Sequence, residues 1–287
     1  LGAEVLPVTS GAQTLKDAET APPVTGEVRH VFLTGASGYL GRFLCLAWLE
    51  HLEKADGKLT CIVRARDAAQ ARARLDEAFG TADAGLAARF ASLADRHLEV
   101  LPGDLAEPNL GLSDADYARL AAEVDLICHP GALVNHRLAY EHLFEPNVVG
   151  TAELIRLALT TRRKRFDFVS STAVATLMGD STVAPEADDV REKKPEIALS
   201  DAYAVGYAAS KWAGEVLLRE AHDLFGLPVN VYRSDMILAH RTYRGQLNAP
   251  DMFARLLFSM AMSGLAPNSF YELGPDGARQ RAHYDGL

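Results

Sequence analysis

Short apolar runs, several rich in β-branched residues, recur along the chain at His30–Leu33, Leu59–Val63, Leu98–Leu101, Leu126–His129, Phe166–Ser170 and Val229–Tyr232. Between them lie longer stretches with apolar residues at helical spacing, as at Tyr39–His51, Asp67–Phe79, Asn147–Leu159 and Tyr203–Phe225. Strand-length runs that alternate with helix-length ones predict βαβ units and a parallel sheet covered on both faces. Six strands in this order fit an α/β fold, a doubly wound parallel Rossmann sheet, over residues 28–240. Residues 1–27 lack apolar periodicity, carry Pro22-Pro23, and read as a linker. After Tyr232 the pattern loosens: a helix is predicted over 251–264, and the last residues are rich in turn formers. Residues 241–287 therefore read as a partial C-terminal region apart from the sheet. The sequence stops at Asp285-Gly286-Leu287 with no terminal element, as a truncation would leave it.

Composition narrows the function. A formal net charge of −9 argues against nucleic-acid binding, which needs a basic surface. No run approaches the ~18 apolar residues of a membrane span. The first residues show no basic region followed by an apolar core, so no signal peptide is read and a cytoplasmic location is the expectation. Cys45, Cys61 and Cys128 lie in apolar runs without CxxC spacing and are expected to be reduced core residues. His129, His136 and His142 lack zinc-ligand spacing, so no metal site is expected.

The chemistry begins after the first strand. Thr34-Gly35-Ala36-Ser37-Gly38-Tyr39-Leu40-Gly41 leads from a strand into a helix, the context a dinucleotide-binding loop requires. One glycine permits the turn, one lets the backbone approach a pyrophosphate, and one lets the helix pack against the sheet. Gly35, Ser37, Gly38, Tyr39, Leu40 and Gly41 are the cofactor-binding candidates of this loop. The second strand runs out into Arg64-Ala65-Arg66, where NAD binders usually carry an acid for the ribose 2′-hydroxyl. A guanidinium there suits a 2′-phosphate, so Arg64 points to NADP(H). Arg74 is either a second phosphate contact or part of a solvated basic helix face with Arg72. Asp104, followed by Leu105, stands where an acid can accept from the adenine amino group. Ala132, in the small-residue run after the fourth strand, lets the backbone pass close to the cofactor.

Tyr207-Ala208-Ala209-Ser210-Lys211 carries the catalytic expectation. Spacing of four puts tyrosine and lysine on one helical face. An ammonium one turn away is expected to favour the phenolate and lower the tyrosine pKa. The lysine can also bind the nicotinamide ribose. At the end of the fifth strand, Ser170-Ser171-Thr172 supplies hydroxyls at the carboxyl edge of the sheet, where ligands of such folds bind. Ser170 is a cofactor-binding candidate, and strand alternation leaves only one of Ser171 and Thr172 facing the cleft to meet an oxyanion. Asn147 either starts the helix after the fourth strand or orders a proton-relay water.

TGxxGxxG, the fifth-strand hydroxyls and YxxxK, in this order, resemble an extended short-chain dehydrogenase/reductase. VFLTGASGYLGRFL, CIVRAR, LPGDLAEPNLGLS, HPGALVNH, NVVGTAELIRLA, FVSSTAV and YAASKWAGEVLL together resemble the thioester reductase domain of a carboxylic acid reductase, from about residue 29 onward. The resemblance implies NADPH-dependent reduction of an acyl thioester to an aldehyde. The acyl group would ride on the phosphopantetheine arm of an upstream carrier domain, with an adenylation domain on the same polypeptide and residues 1–27 as the linker from the carrier. The family pattern favours the third position of Ser170-Ser171-Thr172, so Thr172 and Tyr207 would stabilise the oxyanion, and residues 241–287 would be a partial C-terminal substrate-binding region. Asp235 stands where related reductases often have glycine, and is expected either to disfavour a second reduction of the free aldehyde or merely to cap a loop. Rival readings on the same fold are a fatty-acyl-CoA reductase and an NAD-dependent nucleotide-sugar epimerase or dehydratase. A non-catalytic NADP-sensing protein is the rival from another class; Arg64 counts against the epimerase and the YxxxK pair against the sensor.

Overall fold

In the computed structural model, which describes residues 17–80, 83–177, 186–200, 202–267 and 272–280, the six apolar runs form one sheet. Its strands are β1 (His30–Leu33), β2 (Lys58–Val63), β3 (Leu98–Pro102), β4 (Leu126–His129), β5 (Arg165–Ser171) and β6 (Val229–Ser234). They lie in the order β3-β2-β1-β4-β5-β6, and every neighbouring pair is parallel. β1 and β4 are buried along their whole length, as expected of central strands covered on both faces. The order reverses between β1 and β4, so their carboxyl ends flank the crevice where ligands of such sheets bind.

The connections are α1 (Tyr39–Ala55), α2 (Ala68–Phe79), α3 (Ala84–His97), α4 (Asp114–Glu123), α5 (Tyr140–Leu143), α6 (Gly150–Leu159), α7 (Thr172–Leu177), α8 (Val190–Lys193) and α9 (Val205–Phe225). The β2–β3 crossover contains two helices where the apolar pattern singled out one, and Phe79 stacks on Phe90 across the break at 3.7 Å. Asn147 does not start a helix. Helical residues begin at Tyr140, and Phe144–Val149 form a π-helical turn between α5 and α6. Pro146 lies inside that turn; its missing N–H and bulky ring disfavour the regular i→i−4 ladder, and a wider turn accommodates it.

Residues 17–27 depart from the linker reading. Val24 N–H donates to Arg163 O (2.9 Å), Arg163 N–H donates to Pro22 O (2.8 Å), and Ala18 and Ala21 are buried. This part of the lead-in is fastened beside the start of β5. Residues 1–16 and the final Asp285-Gly286-Leu287 lie outside the described residues.

The chain divides into two compact units, one running to Ser234 and the other beginning at Asp235, the latter also taking residues 82–84. The sequence placed this boundary six residues later, between 240 and 241. The first unit holds a continuous core in which Phe32, Phe166 and Phe168 from the sheet meet Leu154, Leu157, Leu218 and Phe225 from the helices. The second contains α10 (Met252–Ser263), capped by Asp251, whose Oδ1 accepts from Phe253 and Ala254 N–H. It also contains a short antiparallel pair, β7 (Glu272–Leu273) with β8 (Arg279–Gln280). Among the described residues no helix is long and apolar enough to cross a membrane.

Candidate active site

The glycine loop is shaped by close approach. Gly35 has φ +62°, and a Cβ there would stand 2.6 Å from Gly131 Cα on the loop after β4. A Cβ on Gly41 would meet Gly35 O at 1.9 Å, so α1 could not otherwise seat against the loop. Gly38 N–H donates to Gly35 O at 2.9 Å, and Gly38 caps α1 with no side-chain hydrogen bond. The first turn of α1 holds no acidic residue. Its N-terminal amides therefore form an anion-receptive helix end at the switch point of the sheet. Ser37 is exposed, and Tyr39 and Leu40 are partly buried on the first turn. This arrangement fits the diphosphate of a dinucleotide.

A buried polar chain ties this loop to the rest of the site. Thr34 Oγ1 accepts from Gly131 N–H (3.0 Å) and lies 2.7 Å from His129 Nδ1. His129 Nε2 is 3.2 Å from Thr151 Oγ1, which donates to Asn147 O at 2.6 Å. A neutral imidazole protonated on Nε2 satisfies the chain in one direction, with Thr34 donating to Nδ1. His129 is held neutral, well below the usual imidazole range, first by burial and then by the charge of Lys211. Asn147, itself buried, accepts from Leu133 N–H (2.7 Å) and donates to Leu133 O (3.1 Å) and Ser210 Oγ (3.0 Å). It thus binds the loop after β4 to α9. Ala132 lies in that same loop and is partly buried.

The arginines at the end of β2 converge. Arg64 and Arg74 are both exposed, and an Nη1 of Arg74 donates to the Arg64 carbonyl. Asp67, the acid closest in sequence, is engaged at the start of α2, where its Oδ1 accepts from Gln70 N–H at 2.8 Å. Beyond β3, Asp104 Oδ1 accepts from Ala106 N–H (3.1 Å), and Leu105 packs so closely on Gly150 that a Cβ there would sit 2.9 Å from it.

α9 carries Tyr207 and Lys211, both buried. The helix sits close to the chain below it: a Cβ on Gly206 would be 2.6 Å from Leu138 O. His136 lies against Tyr207, ring centroids 5.3 Å apart, and its Nδ1 is 3.0 Å from Tyr203 Oη. Lys211 Nζ donates to Val169 O of β5 (2.8 Å) and stands 4.7 Å from the centre of the Phe168 ring. Burial pushes the Tyr207 phenol up to about 12 and draws the Lys211 ammonium down to about 8, the latter opposed by the charge of Glu215. The sequence reading expected the opposite sign for Tyr207. Burial is the cause, and the Lys211 ammonium is turned to a backbone carbonyl.

Two further expectations at β5 are corrected. Thr172 is not a strand residue: β5 ends at Ser171, and Thr172 opens α7, so the alternation argument does not reach it. Ser171 Oγ instead accepts from Ala173 N–H at 3.2 Å, capping that helix. Ser170 spends its hydroxyl inside the protein, donating to Glu215 Oε1 at 2.5 Å rather than standing free for a cofactor. Glu215 also accepts from Arg233 of β6 through Nε and Nη2, at 2.7–3.2 Å, and is almost fully buried. Asp235 lies in the second unit, where its Oδ1 accepts from Met236 N–H at 2.8 Å. Thr34, His129, His136, Glu215 and Arg233 were missed as site residues. Only Glu215 had a legible sign: it follows Lys211 by the same four residues that separate Lys211 from Tyr207.

A model of the NAD-binding family described as male sterility protein matches residues 33–276. The chain is 55% identical over 276 residues to a carboxylic acid reductase of Mycobacterium marinum, covering 96% of this chain and 23% of that protein. It is 56% identical over 277 residues to a carboxylic acid reductase of Segniliparus rugosus, with the same two coverages. Among solved structures, a reductase domain of a nonribosomal peptide synthetase from Mycobacterium tuberculosis superposes with a TM-score of 0.84 at 48% identity. That match covers 97% of this chain and 64% of the other. The chain spans about a quarter of the length of the curated relatives it matches.

Proposed function

The chain belongs to the NAD-binding male sterility protein family, and on that premise we propose that it is a terminal reductase domain that uses NADPH to reduce a carrier-bound acyl thioester to an aldehyde. The observation that carries this reading is the pair Tyr207 and Lys211 buried on α9, with Lys211 held against the carboxyl end of β5, in a sheet whose crevice is lined by Gly35 and Gly131. The dinucleotide, when bound, supplies the hydride. Gly35, Gly38 and Gly41 admit its diphosphate to the start of α1, where Ser37, Tyr39 and Leu40 line the approach. Arg64 and Arg74 meet the 2′-phosphate, whose charge a paired guanidinium matches better than any group at the end of β2 matches a free hydroxyl. Asp104 accepts from the adenine amino group, with Leu105 and Ala132 forming the walls beside it, and Lys211 binds the nicotinamide ribose.

Charge then develops on the thioester oxygen. The hydroxyls of Thr172 and Tyr207 donate to it, and they do so more effectively in a site that burial keeps dry. Asn147 acts by holding the loop after β4 against α9, and Ser170 by anchoring Glu215. The acyl group arrives on the phosphopantetheine arm of an upstream carrier domain, loaded by an adenylation domain of the same cytoplasmic polypeptide. Asp235, immediately after β6, disfavours a second reduction of the released aldehyde. Its role rests on chain position.

The test is to offer the protein NADPH or NADH with an acyl-pantetheine thioester. Aldehyde formation with NADPH is expected, together with a binding preference for NADPH that Arg64→Ala narrows by about 10-fold or more, the worth of hydrogen bonds to a charged group. Equal affinity for the two dinucleotides would remove the assignment to NADPH, and no aldehyde from any acyl chain would remove the reaction.

A further inference from the structure

Tyr207, Lys211 and Glu215 form a single stripe at positions i, i+4 and i+8 of α9, and Glu215 is the member whose effect on the other two is not part of the reading above. Its carboxylate is almost wholly buried, and the hydrogen bonds it accepts come from two strands of the sheet. Ser170, one residue before the Ser171-Thr172 edge, donates to Oε1 from β5. Arg233, next to the last residue of β6, grips both oxygens. Ser234 Oγ closes the junction by donating to Ser170 O at 3.2 Å. A buried carboxylate is costly unless it is paired and hydrogen-bonded, and this one is both.

From this arrangement we infer that Glu215 is a positioning residue for the tyrosine–lysine pair: it pins α9 to the ends of β5 and β6 and keeps Lys211 charged in a buried site. The inference rests on the reductase reading only for what the charge is used for; the coupling itself is a property of the folded chain. The groups that face Lys211 are few. On its own helix they are Tyr207 and Glu215. From β4 comes His129, neutral and therefore unable to compensate a cation. From β5 come the Val169 carbonyl and the Phe168 ring. β6 reaches it only through Arg233 on Glu215. Glu215 is thus the only anion acting on Lys211 among the described residues, and it opposes the desolvation that lowers the lysine pKa. Arg233 acts one step further out, as the buried ion-pair partner of Glu215.

The measurement is the titration of Lys211 itself, followed by NMR of protein labelled at the lysine side chains, with Lys211→Met identifying the resonance. Glu215→Gln is expected to lower the Lys211 midpoint by about one pH unit or more, the usual effect of a neighbouring opposite charge. Glu215→Asp, which keeps the charge, is expected to stay closer to the native midpoint than Glu215→Gln does. Should Glu215→Gln fail to fold because the Arg233 guanidinium is left buried without its partner, the double variant Glu215→Gln/Arg233→Met removes both charges and is expected to show a smaller downward shift, because the more distant cation leaves with the anion. An unmoved midpoint in a folded variant lacking the carboxylate, or an equal shift in Glu215→Asp, overturns the inference. The pH profile of thioester reduction is expected to move with the NMR midpoint. Absence of reduction in the native protein would remove the proposed function and leave the titration result standing.

Discussion

The two units of this chain solve the problem of order differently. In the first, the central strands β1 and β4 bury on both faces, and Phe32, Leu33, Phe166 and Phe168 are essentially inaccessible. Its polar groups are also spent internally, from Thr34 through His129 and Thr151 to Asn147, and from Ser170 through Glu215 to Arg233. In the second, Gln246 and Ala254 are the only buried side chains among the described residues, while Met252, Phe258, Met262 and Leu265 are exposed. The helix there has sound ends, an Asp251 cap and Gly264 at φ +69°, but little of its apolar surface is covered. Local capping makes a helix possible; burial makes it stay. The chemistry assigned to this chain therefore sits on the unit that can hold a side chain in place, and the residue assigned to product control sits on the one that holds less.

The sharpest way to break that division is Tyr207→Phe. The substitution removes one hydroxyl from a buried helix face and leaves the core volume nearly unchanged. Thioester reduction is expected to fall about 10²–10⁴-fold, the range for a lost general acid or oxyanion donor, with NADPH affinity and thermal midpoint little altered. A variant with near-native turnover would move the chemistry away from α9 altogether.

Hydrogen exchange probes the comparison directly. Amides of β1, β4 and β5 are expected to exchange near the rate set by global unfolding, and those of α10 at least about 100-fold faster, because exposed elements open locally at lower cost. Equal protection in α10 would show that the second unit is held by more than its own packing.

The fold was written in the chain because its signals are local: six apolar runs, a glycine loop and helical spacing each follow from nearest neighbours in sequence. The site was legible in part. Tyr207 and Lys211 declare themselves by a four-residue spacing, and Gly35 by the turn it opens. His129 could not be read this way, since its partners Thr34 and Thr151 stand 95 and 22 residues away. Ser170 was misjudged for the same reason: its position at a strand end is local information, but its commitment to Glu215 45 residues later is not. The sign of the Tyr207 shift failed because spacing reveals a neighbour and not the degree of burial, and here burial is the larger effect.

A smaller effect is expected from Asp235→Gly, which tests whether the second unit takes part in the outcome of the reaction. In the multidomain enzyme this change is expected to raise the share of alcohol over aldehyde about two- to tenfold, a difference of roughly 1 kcal/mol in rebinding. Aldehyde release itself is expected to continue at its native rate. An unchanged product ratio would leave Asp235 as a loop residue whose carboxylate accepts from Met236 N–H.

The mildest expectation concerns the approach to α9. Ala204 precedes the helix with φ 65° and ψ −5°, a left-handed conformation in which its N–H donates to His136 O at 2.9 Å. An L-residue pays about 1–2 kcal/mol for that conformation, and glycine removes the cost while losing about 0.5–1 kcal/mol to its freer unfolded chain. Ala204→Gly is therefore expected to stabilise the first unit by less than about 1 kcal/mol, raising the thermal midpoint by about 2–4 °C at most. Turnover should be unchanged, because Tyr207 and Lys211 are fixed by Gly206 packing on Leu138 O and by the Val169 carbonyl rather than by the residue at the helix start. A loss of stability would mean that the chain enters α9 in an ordinary right-handed turn in solution. A loss of turnover without a loss of stability would mean that this short left-handed step, and not the buried junction beneath it, sets where the tyrosine stands.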